Sequence, residues 1–337
     1  MLDVRLARDV LARHYRRKSP ERGSSRISDV AEITGGLSNS MYSFGLSDEE
    51  GGMEHGESLI LRVGRDNAQM RREFDVLEKL RPTAVPVPTV YDIGEDPRGF
   101  SFVIMERVEG ENLWVAGEDM TEAEQEELWK EFATVLAGLH AVDWRGMGFD
   151  SLGPPDGEYA YIDSLLAGYR DRCAHLGTDA LDPILDWMAE HKPPSDQYVL
   201  LHGDYHGGNV LADQGVIAAV VDWEGVSIGD ATYDVCWMPV LWRTFFGVSD
   251  IDATDLLVKR YEEAAGREVR NVDFYLTVSA VQLLLYMLMT KAHAAGGGPQ
   301  KTGAEIMLQE EPPIRCAKLL EEKTGIDISS ALASALN

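Results

Sequence analysis

The chain has 337 residues, a length that suits two domains or lobes better than one small core. With 45% hydrophobic and 26% charged residues the composition is that of a globular protein, which excludes disorder as its main state. The net charge of −26, from 57 acidic and 31 basic residues, repels nucleic-acid backbones and anionic membrane surfaces, so neither is an expected partner. The 3 cysteines lack Cys-x-x-Cys spacing, as is typical of free thiols in the reducing cytoplasm.

The first third of the chain is predicted to form a small antiparallel sheet with two helices. Residues 1–18 carry apolar residues at helical spacing, which favours a surface helix over a transit peptide. Residues 67–80 predict a second helix with one apolar face. Short strands are predicted at Ile33, 42–46, 59–63 and 100–110. The first three are separated by Gly35-Gly36 and by an acidic turn at 48–57.

Helices are predicted for most of the remaining chain. Thr121 and Glu124 form a capping box that opens the first of them, and residues 160–190 are predicted to be further helix. The apolar stretch at 278–289 is too short to span a bilayer and is predicted to be a buried core helix.

A polar segment at residues 199–213, VLLHGDYHGGNVLAD, and the hairpin after it carry the chemistry. Four residues separate Asp204 from Asn209 in a loop between strands, and the hairpin returns the chain so that Asp222 can face the same point. Two carboxylates and an amide oxygen that converge in this way suit a hard cation such as Mg²⁺. With a polyphosphate on that cation, one carboxylate can stay off the metal and orient an attacking hydroxyl, as phosphoryl transfer requires.

Other residues near this segment have less specific interpretations. Asp230 and Asp234 are predicted to stabilise the loop and the next helix start, and Glu224 either assists a second Mg²⁺ or caps the following segment. Three tryptophans are predicted to belong to the core, namely Trp223, Trp237 and Trp242. The acidic cluster at 118–127 either follows the dipole of its helix or forms a site for a polycation.

Two motifs, HGDYHGGN at 202–209 and VVDWE at 220–224, resemble those of the aminoglycoside phosphotransferase family, small-molecule kinases with a protein-kinase-like fold. The resemblance extends from residue 30 to residue 245 and is nearest to the kinase-like domain related to those fused to acyl-CoA dehydrogenases. It implies an α+β, two-lobed fold. Residues 1–106 would form a nucleotide-binding lobe with a small antiparallel sheet, and residues 107–337 a mostly helical catalytic and substrate-binding lobe that contains the polar hairpin.

The resemblance assigns roles to the residues of the polar hairpin. Asp204 would orient or deprotonate the acceptor hydroxyl, and Asn209 and Asp222 would bind Mg²⁺. His202 would brace the loop from beneath.

Six residues would hold the nucleotide by the same resemblance. They are Ser38 and Asn39 over the phosphates, Arg62 with its partner Glu73 at the inner phosphates, and the backbone of Glu106 and Val108 at the adenine. Arg62 stands where the family usually has lysine. Because arginine and lysine differ in geometry, ATP and GTP both remain open as the phosphoryl donor.

The sequence therefore predicts a cytoplasmic, Mg²⁺-dependent kinase that moves the γ-phosphoryl group of ATP, or of GTP, to a hydroxyl of a small molecule. Two alternatives stay open. One is a catalytically silent nucleotide-binding protein of the same fold. The other is a hydrolase that holds Zn²⁺ or Mn²⁺ on His202, His206, Asp204 and Asp222.

Overall fold

The computed structural model of the protein covers most of the chain. It describes residues 3–18, 26–33, 40–47, 58–118, 120–195, 197–247, 250–295 and 304–336. Some predicted features lie outside these residues, namely the Gly35-Gly36 break, the acidic turn at 48–57 and the phosphate contacts of Ser38 and Asn39.

A five-stranded antiparallel sheet forms the core of the N-terminal lobe. Its strands are β1 Arg26–Ile33, β2 Ser40–Ser47, β3 Leu59–Gly64, β4 Val90–Asp96 and β5 Phe100–Glu106. Their order across the sheet is β1-β2-β3-β5-β4. The four predicted strands are present, although β5 ends at Glu106 where the prediction extended to residue 110.

Two helices cover opposite faces of this sheet, α1 (Val4–Lys18) and α2 (Asn67–Leu80). Successive side chains of a strand point to opposite faces, and β5 divides accordingly. Phe102 and Ile104 pack with α1, whereas Val103 and Met105 join the larger core that includes the buried face of α2. The amphipathic patterns of residues 1–18 and 67–80 are therefore confirmed as helices that sandwich the sheet.

The C-terminal lobe, from residue 107 onward, is mostly helical. Its helices are α3 Leu113–Ala116, α4 Glu122–His140, α5 Ala160–Leu176, α6 Asp182–His191, α7 Thr232–Leu241, α8 Asp250–Ala265, α9 Val272–Ala295, α10 Ala304–Met307, α11 Glu311–Thr324 and α12 Ser329–Leu336. The capping box of Thr121 and Glu124 at the start of α4 is confirmed in both directions. The helix predicted over 160–190 is instead two helices, because Gly177 ends α5 in the left-handed conformation at φ +67°.

Helix α9 contains the apolar stretch 278–289 and lies at the centre of this lobe. It packs against α5, α7 and α11. Within the described ranges it is the one helix whose length and composition would allow a membrane span, yet 78% of its most apolar window is buried inside the protein. The stretch is thus a core helix, as its interrupting polar residue Gln282 predicts.

Two small sheets place the polar segment between the lobes. Strand β7 (Val199–Leu201) pairs with β10 (Ser227–Gly229), and β8 (Val210–Asp213) pairs with β9 (Val216–Val220), which confirms the predicted hairpin. A further short strand, β6 (Glu111–Asn112), joins the outer edge of β8. The loop after β7 and the turn after β9 therefore emerge side by side, facing the N-terminal lobe.

The packing of α1 on the sheet leads to a stability prediction. Leu11 of α1 is fully buried, so Leu11→Ala leaves a cavity and should lower the free energy of unfolding by about 2–5 kcal/mol. Urea denaturation followed by circular dichroism measures this change. The matched variant Leu256→Ala, at a leucine that is 45% exposed, should change it by less than about 0.5 kcal/mol. Equal effects of the two substitutions would show that α1 does not pack as described.

Candidate active site

The His-Gly-Asp loop after β7 is braced by a buried histidine. His202 donates from Nε2 to the Val221 carbonyl at 3.0 Å and accepts the Asp204 amide at Nδ1 at 3.2 Å. Burial lowers the pKa of His202, so the ring is neutral and both nitrogens are engaged within the chain. Such a ring braces the loop and has no nitrogen left for a metal ion, which removes the hydrolase site that included His202.

Gly203 must be glycine for this loop to form. Its φ of +82° lies in the left-handed region, and a Cβ there would stand 2.1 Å from the Gly225 carbonyl oxygen. The loop therefore passes so close to the turn after β9 that the two segments are fixed relative to each other.

A buried carboxylate from α7 holds the main chain of the loop. Asp234 accepts the amide of His202 at 2.8 Å and that of Gly203 at 2.9 Å. The oxygen that accepts the His202 amide, Oδ2, also accepts His140 Nε2 at 3.2 Å, and His140 Nδ1 lies 2.8 Å from the Tyr261 hydroxyl. The stabilising role expected of Asp234 is thus seen in the contacts, whereas His140 and Tyr261 were not singled out from the sequence.

The Asp204 carboxylate has a donor on each oxygen. Its Oδ1 accepts Trp237 Nε1 at 2.6 Å and its Oδ2 accepts Asn209 Nδ2 at 3.0 Å, while His206 Nε2 stands 3.6 Å from Oδ1. Burial raises the pKa of Asp204, but the neighbouring histidines and the donors outweigh it, so the pKa lies below its usual range. The side chain is 37% exposed. Asp204 is therefore an ionised carboxylate at neutral pH that faces the cleft.

Asn209 is oriented by the same loop. Its Nδ2 donates to both the carbonyl oxygen and Oδ2 of Asp204, each at 3.0 Å, and these bonds assign the amide so that Oδ1 points away from Asp204. The Asn209 carbonyl accepts the Val221 amide at 2.9 Å. The predicted metal ligands Asn209 and Asp222 consequently lie on adjacent segments, and a carboxylate with a free amide oxygen is a donor set that fits Mg²⁺.

Asp222 takes an unusual backbone conformation. Its φ of +64° and ψ of +61° are left-handed for a residue with a side chain. Strain of this kind persists only where the surrounding structure fixes it, and it clusters at functional sites. Asp222 remains partly exposed beside the cleft and accepts Arg62 Nη2 at 3.1 Å.

Arg62 connects the two lobes. The neighbours of Arg62 on β3 face α1, so Arg62 itself points to the α2 side, where its Nε lies 3.2 Å from Glu73 Oε2. Its Nη2 reaches Asp222 and also pairs with Glu224. Burial raises the pKa of Glu73 to about 7, against the opposing effect of Arg62. The predicted Arg62–Glu73 pair is present, and Glu224 binds this guanidinium.

The segment after β5 shows which backbone groups are free. The Glu106 amide donates to the Thr89 carbonyl at 2.8 Å, and the Thr89 amide returns a bond to Glu106 Oε2 at 3.0 Å. Among the described residues the Val108 amide has no hydrogen-bond partner. The prediction named the backbone of both residues, and of their two amides only that of Val108 is open to a ligand.

The structure also bears on other metals. In the part of the chain that the structure describes, no three His, Cys, Asp or Glu side chains group as a metal site. The magnesium prediction is not affected, because its ligand set includes the amide of Asn209, and Mg²⁺ keeps several waters and phosphate oxygens.

Two curated relatives are similar over most of this chain. Hygromycin-B 4-O-kinase of Escherichia coli is 27% identical over 254 residues, which cover 71% of this chain and 70% of that protein. Acyl-CoA dehydrogenase family member 10 of Mus musculus is 26% identical over 255 residues. That match covers 70% of this chain but 23% of the mouse protein, so this chain corresponds to less than a quarter of that relative.

Solved structures show the same fold. A protein of Ralstonia eutropha JMP134, described as a candidate aminoglycoside phosphotransferase, aligns with a TM-score of 0.72 and 23% identity, covering 97% of this chain and 98% of that one. A thermostable mutant of aminoglycoside phosphotransferase APH(4)-Ia, in a ternary complex with AMP-PNP and hygromycin B, aligns with a TM-score of 0.61 and 21% identity, covering 93% and 99%. These alignments confirm the predicted kinase-like α+β fold.

The family profile decides the assignment. The profile described as Phosphotransferase enzyme family, APH, matches residues 29–275, from β1 into α9. This match confirms both the resemblance seen in the motifs and the prediction of an enzyme of this class. Because it spans well over half of the sequence, the chain belongs to the phosphotransferase enzyme family.

Proposed function

We propose that the protein is a cytoplasmic, Mg²⁺-dependent kinase that transfers the γ-phosphoryl group of ATP, or of GTP, to a hydroxyl group of a small molecule. The observation that carries this proposal is the contact that Arg62 makes between the two lobes. There a cation of the N-terminal sheet contacts Asp222 at 3.1 Å, and Asn209 and Asp204 lie on the adjacent segments. A related fold binds AMP-PNP together with hygromycin B, which supports a shared cleft for nucleotide and acceptor.

The nucleotide would lie between the lobes. The free Val108 amide is a donor for the adenine, and Arg62, held by Glu73, would bind the inner phosphates as a planar fork. Asn209 Oδ1 and the Asp222 carboxylate would hold Mg²⁺. Bound there, the ion supplies charge neutralisation for the phosphate oxygens.

Asp204 is the residue placed to act on the acceptor. Its carboxylate, ionised at neutral pH, would accept the hydrogen bond of the acceptor hydroxyl and aim that oxygen at the γ-phosphorus. A bond then forms between the hydroxyl oxygen and phosphorus, the bond to the β–γ bridging oxygen breaks, and ADP leaves. The hydroxyl proton passes to Asp204 and from there to water.

The contacts favour this function over the alternatives. A catalytically silent protein does not require a carboxylate base oriented by a donor on each oxygen. A hydrolase would need the nitrogens that His202 uses within the chain.

Three of the six side chains of the acidic cluster at 118–127 have local partners. Glu124 closes the capping box, Glu126 pairs with Arg260 and Glu127 accepts Lys130 at 2.8 Å, whereas Asp119 lies outside the described residues. These contacts support the helix-dipole interpretation and leave the acceptor open.

The proposal is tested by removing the base. A panel of alcohols is screened with Mg²⁺ and ATP for release of ADP, and Asp204→Asn should lower kcat by at least about 100-fold because the acceptor proton loses its base. Thermal stabilisation by ATP should persist in that variant. Asp213→Asn, at the exposed end of β8, is the control and should retain activity. Full activity of Asp204→Asn would overturn the assignment.

The geometry of Arg62 predicts a defect in nucleotide binding. Arg62→Lys keeps the charge but cannot pair with Glu73 and the Asp222–Glu224 side at once, so KM for ATP should rise about tenfold, as for one lost charge-assisted hydrogen bond. Steady-state kinetics with varied ATP measure it. The control Arg65→Lys, just beyond the end of β3, should leave KM unchanged; an unchanged KM in both variants would place the phosphates elsewhere.

The raised pKa of Glu73 predicts a pH effect on stability. The folded state holds this proton up to about pH 7, whereas an unfolded carboxyl loses it near its ordinary value of 4.5. Wild-type stability should therefore fall, relative to Glu73→Gln, as pH rises from 5 to 8, by roughly 2 kcal/mol. Urea unfolding at the two pH values measures this difference. The control Glu78→Gln, on the exposed face of α2, should differ from wild type by the same amount at both pH values. A difference between wild type and Glu73→Gln that is likewise independent of pH would refute the raised pKa.

A further inference from the structure

Trp237 contacts the reacting group of the proposed site directly, although its sequence position predicts a core residue. It lies in α7 and is 3% exposed, yet its indole Nε1 donates to Asp204 Oδ1 at 2.6 Å. We propose that Trp237 is a positioning residue that fixes the orientation of the Asp204 carboxylate. The catalytic meaning of this contact rests on the proposed function, whereas the contact itself does not.

The indole suits this task for chemical reasons. Its ring nitrogen is a donor and never an acceptor, so it can only bind an oxygen lone pair. The distance of 2.6 Å lies below the ordinary range for N–H···O bonds and fits a charge-assisted bond to a carboxylate. The rigid, buried ring leaves few orientations for the donor.

Helix α7 contacts the His-Gly-Asp loop through two side chains. Asp234 and Trp237 are three positions apart and thus lie on the same side of the helix. Asp234 accepts the amides of His202 and Gly203, and Trp237 donates to the side chain of Asp204. One helix face therefore fixes both the main chain of the loop and the carboxylate that the loop presents.

The second donor completes the orientation. Asn209 Nδ2 donates to Oδ2, so each oxygen of Asp204 carries one donor from a different element. Two bonds at opposite oxygens prevent rotation of the carboxylate about its Cβ–Cγ bond. Each oxygen keeps a further lone pair, which leaves room for the hydroxyl of an acceptor.

Several titratable groups face Asp204, and Trp237 differs from all of them. His206 of the loop and His202 beneath it interact with the carboxylate, as do the phenols of Tyr233 in α7 and Tyr286 in α9. The indole carries no charge, so its contact with Oδ1 is that of a single fixed donor.

An isosteric replacement tests the donor alone. β-(3-Benzothienyl)alanine at position 237 keeps the ring shape but lacks the N–H group. Turnover with Mg²⁺ and ATP should fall about tenfold, the effect of one bond to a charged group, while KM for ATP should stay unchanged because the replacement does not touch the nucleotide. The control is the same replacement of Trp144, a buried indole that donates to the Tyr198 carbonyl at 2.9 Å. Equal turnover of the two variants would overturn the proposal.

A double-mutant cycle examines the contact without any turnover. Unfolding free energies are measured for wild type, Trp237→Phe, Asp204→Ala and the double variant. If the bond holds the carboxylate, the double variant should lose less than the sum of the single losses, and additive losses would overturn the proposal. A wild-type protein without turnover on any alcohol would instead refute the proposed function, and the cycle would still decide whether Trp237 holds Asp204.

Discussion

The buried guanidinium of Arg62 is the contact on which the arrangement of the cleft depends. A charge taken out of water must be paired, and removal of one partner of such a group is strongly destabilising. Arg62 meets this requirement with Glu73 from α2 and with Asp222 and Glu224 from the turn after β9. The N-terminal sheet is thereby tied to the segment that would hold the metal. On the proposed function, phosphate oxygens would compete for the same cation.

The other side of the cleft is rigid for a different reason. The His-Gly-Asp loop takes a left-handed turn at Gly203 and passes within contact of Gly225, and Asp234 holds its amides from below. A loop this constrained presents Asp204 at a fixed place, whatever occupies the cleft. The left-handed φ of Asp222 also fixes the geometry of the cleft, since in this conformation its carboxylate contacts Arg62.

The sequence predicted the features that depend on neighbouring residues, and it missed contacts between residues that are far apart in the chain. The strands, helix 67–80 and the hairpin could be predicted from periodicity and turn residues. The convergence of Asp204, Asn209 and Asp222 could be predicted because they lie close together in the sequence, in one loop and the hairpin after it. The contact of Trp237 with Asp204 spans 33 positions and that of His140 with Tyr261 spans 121. No periodicity encodes such approaches, so Trp237 was predicted to be a core residue and His140 and Tyr261 were not singled out. The contacts of Ser38, Asn39, Glu106 and Val108 with a nucleotide stay predictions.

The geometry of the cleft suits an arginine at position 62. An ammonium is a single point of charge, whereas the guanidinium presents donors in a fixed fork. Here one edge of the fork faces Glu73 and the terminal nitrogen Nη2 serves both Asp222 and Glu224. A lysine at this place would leave at least one buried or half-buried carboxylate without its cation. Arg62 and Glu224 are therefore complementary, because a forked cation can bind the carboxylate of Glu224 together with those of Glu73 and Asp222.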